Sequence, residues 1–213
     1  MGRIRSALRA YALESNDPAD VLTRLDRKIQ VFEIDTMATA IYAVIDPSHT
    51  TMTISVAGHL PPVLIEATGN ATALDIPTDL PLGAHPNTPR HTTTISLPPS
   101  STLLLYTDGL IERRDRPLPD GIHLLLNDAI PGKAEDLCSH VTTQLLPADG
   151  PTDDVAVLAI HRTNQHRTSN GKATGSQQRN DKELVATCTH RPPAKSARLH
   201  IGRRYEYSRG RSR

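Results

Sequence analysis

The stretch STLLLYTDGLIERRD, Ser101 to Asp115, decides how the rest of the chain is read. Its first half is apolar on both faces, as a strand covered on both sides must be. It then runs directly into Thr107-Asp108-Gly109, which places one carboxylate at the tip of a buried strand. Asp-Gly is a common turn pair, so the residues alone admit a hairpin. They also admit a metal ligand held at a strand end, and the wider pattern has to choose.

A second carboxylate position stands out for the same reason. Asp153-Asp154 immediately precedes VAVLAI, another buried-strand pattern. If the two strands are neighbours, their acidic ends converge, and converging carboxylates repel unless a cation lies between them. With no His or Cys cluster nearby to favour zinc, hard Mg2+ or Mn2+ is the cation that all-oxygen donors suit. Gly109 is expected to let the backbone turn away without crowding such an ion. The bland alternative, an Asp pair guarding a solvated strand entry, stays open on these residues alone.

Around these points the elements follow in order. Ile4, Leu8, Tyr11 and Ala12 recur at helical spacing, so the chain is expected to open on an amphipathic helix, one that starts without a capping residue. A second helix is predicted over NDPADVLTRLDRKIQ, with Asp17 as N-cap, Pro18 in the first turn and Val21, Leu22, Leu25 and Ile29 as its buried stripe. MATAIYAVID, TTMTISVA, PPVLIEA and HTTTISLP read as strands. KAEDLCSHVTTQLL reads as a third helix with Leu137, Val141 and Leu145 on one face, and DDVAVLAIH as the last buried strand. Runs of strands, rather than strict strand–helix alternation, indicate antiparallel sheets covered by helices.

Near residue 162 the composition changes. Residues 163–213 are polar, basic and without periodicity, ELVATC apart, and are expected to be a disordered basic tail. The formal net charge of +1 over 213 residues therefore averages a mildly acidic domain and a basic end. Arg203, Arg204, Arg209, Arg211 and Arg213 interleave with Tyr205 and Tyr207, a pattern able to grip nucleic acid, although a solvated tail accounts for it more simply. No stretch has the apolar length of a membrane span, and Cys138 and Cys188 form no metal or disulfide framework. A reducing, cytoplasmic setting is expected.

The ordered set MATAIYAVIDP, ISVAGHLPPVLI, LPLGAHP, STLLLYTDGLIERRDRP and PTDDVAVLAIHR resembles the metal-dependent PPM-type protein phosphatases. It is most similar to the bacterial branch typified by the stage II sporulation protein E phosphatase domain. The resemblance covers residues 1–162 and implies an αββα sandwich, an α+β fold of two antiparallel sheets flanked by helices. It implies that Asp108 and Asp153 ligate Mn2+ or Mg2+, with Asp154 and Gly109 as supporting positions beside them. Two such ions activate water for attack on phosphoserine or phosphothreonine in this family. The implied partner is a phosphorylated regulatory protein of the anti-anti-sigma type. His59, by contrast, sits in a tight turn before Pro61-Pro62 and is expected to be structural.

The family also carries an early Gly-Asp-Val-x-Gly-His-Gly motif whose Asp bridges both metals. Residues 1–213 do not contain it, so the sandwich is expected to be incomplete at its N-terminal side. An inactive remnant or a regulatory binding module of the same family is the alternative that this implies.

Overall fold

The computed structural model describes residues 2–33, 36–113, 115–148, 150–151, 153–164 and, as backbone, 185–190. Two helices lead: α1 (Gly2–Glu14) and α2 (Pro18–Phe32). The second is built as the sequence predicts. Asp17 accepts a hydrogen bond from the Ala19 amide at 3.2 Å, Pro18 stands in the first turn, and Val21, Leu22, Leu25 and Ile29 are fully buried.

Strands β1 (Ala40–Ile45), β2 (Thr51–Ala57), β3 (Val63–Ile65), β4 (Ala71–Ala73), β5 (Thr78–Asp79), β6 (Thr93–Ser96) and β7 (Thr102–Tyr106) follow. A 3-10 turn over Asp108–Leu110 leads to helices α3 (Leu118–Asp128) and α4 (Ala134–Leu145), then to strands β8 (Val155–His161) and β9 (Val185–His190). In the first sheet β2 is central. It pairs antiparallel with β1, antiparallel with β6 along its first half, and parallel with β5 at its last two residues. The second sheet has the order β4-β3-β7-β8-β9 and is antiparallel throughout.

Three apolar clusters define four layers. Ile4, Leu8 and the α2 stripe pack on Ala40, Ala57 and Leu82, joining the helical hairpin to the first sheet. Met52, Ile54 and Val56 meet Leu64, Leu103 and Leu105 between the sheets. Leu104, Tyr106, Val155 and Val157 meet Leu125, Leu137, Val141 and Leu145 between the second sheet and α3–α4. The αββα sandwich expected from the sequence is therefore the architecture observed. Strand β7 is buried along its whole length because it faces both of the last two clusters.

Helix α3 and the short strands β4 and β5 were not anticipated. Leu118-Pro119-Asp120-Gly121 opens a helix although Asp-Gly is a common turn pair, and Gly121 serves close packing. A β-carbon there would lie 2.4 Å from the Ile111 carbonyl oxygen, so only glycine lets α3 approach the turn after Asp108 this closely. Within the tail, part of the strand-like ELVATC segment is described and does pair: Val185–His190 forms β9 against β8. The expected disorder of the remaining tail, and the Arg/Tyr cluster at 203–213, lie outside the described residues.

Tyr106 carries a cost. It is 1% exposed and its hydroxyl has no hydrogen-bond partner among the described residues. Burial pushes its pKa up to about 12. Tyr106→Phe removes an unsatisfied polar atom without changing the packing, so it is expected to leave stability unchanged or raise it by up to about 1 kcal/mol in a denaturant titration. The wild-type chain should also lose stability between about pH 10 and about pH 12 through this group, because the unfolded phenol ionises first and the folded one stays neutral. The substitution should remove that part of the alkaline loss.

A candidate metal centre at the ends of two strands

β7 and β8 are adjacent and antiparallel, with Tyr106 opposite Val157. The end of β7 and the start of β8 therefore lie side by side, which places Asp108 and Asp153 at the same end of the second sheet. The junction is tied by Thr107. Its amide donates to the Ala156 carbonyl at 3.0 Å, its hydroxyl donates to the Asp154 carbonyl at 3.1 Å, and the Ala156 amide donates to that hydroxyl at 2.8 Å. Thr107 is 4% exposed, so these bonds are shielded from water.

Each carboxylate is oriented locally. Asp108 heads the 3-10 turn, where one of its carboxylate oxygens accepts from the Gly109 amide at 2.8 Å and its carbonyl accepts from the Ile111 and Glu112 amides. Asp153 accepts in the same way from the Asp154 amide at 2.7 Å. Both residues, and Asp154, are half-buried.

Gly109 also has a packing role. It faces the backbone of the neighbouring strand end: a β-carbon there would sit 2.5 Å from the Asp154 carbonyl oxygen and 3.2 Å from that of Asp153. Glycine is needed so that the Asp108 turn and the Asp153-Asp154 turn can touch. Gly109→Ala should therefore push the two turns apart. The expected loss is about 1–3 kcal/mol of stability, seen as a lower denaturation midpoint, because the clash is with backbone that cannot rotate away.

His59 and the charged residues that follow the Asp108 turn lie differently. His59 is 7% exposed, with Nδ1 3.1 Å from the Leu60 carbonyl, in keeping with a structural turn. Glu112 is exposed. Arg113 is engaged by Asp115 through Nε at 3.0 Å and Nη2 at 3.2 Å, and its hydrogen bonds hold the Asp115 carboxyl below the usual range. Arg116 clamps the turn from behind, donating from Nε and Nη2 to the Ile111 carbonyl at 3.3 and 3.0 Å. Arg114 lies outside the described residues.

The donors at this end are hard oxygens, two carboxylates with backbone carbonyls beside them, which suits Mg2+ or Mn2+. Among the described residues no group of three or more His, Cys, Asp or Glu converges on one point. The residues present fit one side of a divalent-cation centre.

Sequence reading did not identify a buried polar clamp behind the first sheet. Asp26 on α2 accepts from Arg90 Nη2 at 2.7 Å and from the Gly83 amide at 2.7 Å, and Gln30 reaches the His85 carbonyl at 3.0 Å. This clamp fastens the loop carrying Leu82-Gly83 to the helical hairpin. Its partners are 64 residues apart, and only Asp26's place beside the apolar stripe, at helical spacing from Leu22 and Ile29, hinted that it is buried.

Two mostly antiparallel sheets between helical layers, with acidic turns meeting at one sheet end, match the fold of a PP2C-type phosphatase domain. The chain belongs to the stage II sporulation protein E (SpoIIE) family, whose model matches residues 1–163. A structure of the RsbU and RsbW domains of a Mycobacterium tuberculosis protein is similar at 29% identity and a TM-score of 0.66, over 78% of this chain and 49% of that one. This chain thus spans about half the length of that structure. The phosphatase domain of SpoIIE from Bacillus subtilis is similar at 10% identity and a TM-score of 0.55, over 79% of this chain and 76% of that one. RsbX in complex with magnesium is similar at 18% identity and a TM-score of 0.53, over 74% and 70%. The last two likenesses are of fold alone. Among the described residues no helix is long and apolar enough to cross a membrane.

Proposed function

We propose that this chain is a metal-dependent protein serine/threonine phosphatase domain in which Asp108 and Asp153 hold Mn2+ or Mg2+. The observation that carries the reading is the contact of the two acidic turns, locked by Thr107 and permitted by Gly109. A divalent cation held there supplies a Lewis acid that lowers the pKa of water and draws charge from a phosphoryl group. The chain's own contribution is placement: the Thr107 bonds fix the spacing of the strand ends, and the amides of Gly109 and Asp154 orient the carboxylates. Oriented carboxylates bind a cation without a further ordering cost.

The substrate class we infer is a regulatory protein bearing phosphoserine or phosphothreonine, of the anti-anti-sigma type, acted on in the cytoplasm. The support is the family and the likeness to structures named for RsbU, RsbW and RsbX. The test is hydrolysis of a phosphoserine peptide by the purified chain with Mn2+ and with chelator. Turnover that chelator abolishes supports the reading, and a folded chain without turnover refutes it. A specific observation favours a second reading, an inactive regulatory binding module: only two converging carboxylates are supplied by the described residues. Binding of a phosphorylated partner without metal-dependent turnover would identify that case.

A further inference from the structure

Strand β9 lies outside the residues matched by the family model, yet it is paired with β8 along its whole length. The register runs from Ile160 opposite Val185 to Val155 opposite His190. The connection between the two strands spans residues 162–184, so the pairing is no hairpin imposed by a tight turn. Its sequence, VATCTH, is dominated by β-branched residues and small ones, which suits a ladder.

Strand β8 needs such a neighbour. Val155, Val157 and Ala159 are buried against the helices, while Leu158 and Ile160 pack towards the core between the sheets. With β7 on one side alone, β8 would be a seven-residue apolar edge strand with a row of unpaired backbone groups, the kind of edge that recruits other chains. Helix α4 contacts both β8 and β9, so the helical layer spans the added strand as well.

We propose that Val185–His190 is an intramolecular augmenting strand: the tail seals the open edge of β8 and steadies the Asp153-Asp154 turn. Main-chain pairing supplies the attraction, as in other strand additions to a sheet edge. The restraint reaches the candidate centre because the final pair, Val155 with His190, adjoins Asp154, whose carbonyl is bonded to Thr107. This inference does not depend on the phosphatase reading, since it concerns the sheet and not the reaction.

The test is amide hydrogen exchange on the full chain, wild type against Ala186→Pro and Thr187→Pro. In an antiparallel pair alternate residues point their amides at the neighbour, so one of these two prolines must remove an inward donor. The expected result is exchange of the β8 amides about tenfold faster in that variant, with β2 unchanged as the internal control for folding. Unchanged β8 protection in both variants overturns the proposal. A second measurement does not rely on the proline variants folding. Val157→Cys, in a Cys138→Ala background, places a thiol opposite Cys188 in the register. Mild oxidation with oxidised glutathione should bridge them within one chain, read by peptide mass. An unbridged Cys188, or a bridge linking two chains, overturns the intramolecular assignment.

Discussion

Asp26→Ala is expected to destabilise the fold by roughly 3–5 kcal/mol, measured by chemical denaturation. The side chains of Arg90 and Asp26 are 0% and 5% exposed, and their ion pair spans 2.7 Å. Removing the carboxylate leaves a guanidinium buried without its counter-charge, and it also orphans the Gly83 amide. Arg90 cannot escape by losing its proton; its Nη1 donates to the Leu80 carbonyl, and its buried Nε has no partner among the described residues. Replacing both partners with apolar residues, Asp26→Leu with Arg90→Met, should recover part of the loss because no charge then remains buried. A loss below about 1 kcal/mol for Asp26→Ala would show that the pair is open to water in solution. The Leu82-Gly83 loop, which this clamp joins to α2, should loosen in the same variant.

Asp108→Asn is expected to lower Mn2+-dependent hydrolysis of a phosphoserine peptide by at least about 100-fold, since the change strikes a proposed ligand and not an outer partner. Asparagine keeps an oxygen to accept from the Gly109 amide, so the 3-10 turn should persist and the denaturation midpoint should stay near that of the wild type. What is lost is negative charge at the strand tip. Glu112→Gln removes a nearby charge from an exposed residue and should leave turnover unchanged. Equal loss in both variants would mean that general acidity of this end matters, and that no specific ligand sits at Asp108.

The layers of the fold were legible wherever burial is periodic. Helix α2 announced itself through a capping Asp, a first-turn Pro and an unbroken apolar stripe, and β7 through apolarity on both faces. Elements held by pairing or close approach were not legible. β4 and β5 are short and largely exposed, with no pattern of their own. Helix α3 hid behind Asp120-Gly121, a turn signal whose glycine instead admits the Ile111 carbonyl. At the candidate centre, the two acidic strand ends could be read from sequence, because a carboxylate beside an apolar run is conspicuous. Their mutual lock could not, since Thr107 looked like part of a turn and Gly109 like a spacer. The partnership of Asp26 with Arg90 depends on tertiary contact across 64 positions, and no local pattern reports it.

The most direct measurement is a Mn2+ titration of the purified chain, followed by electron paramagnetic resonance of the free ion, for wild type, Asp108→Asn, Asp153→Asn and Asp115→Asn. Asp115 is the control: it is acidic, lies near the same turn, and is already paired with Arg113 on the surface. Asp108→Asn and Asp153→Asn should each weaken binding by at least about tenfold, while Asp115→Asn should bind as the wild type does. Equal affinity in all four proteins, or no binding by the wild type, would contradict a centre built from Asp108 and Asp153.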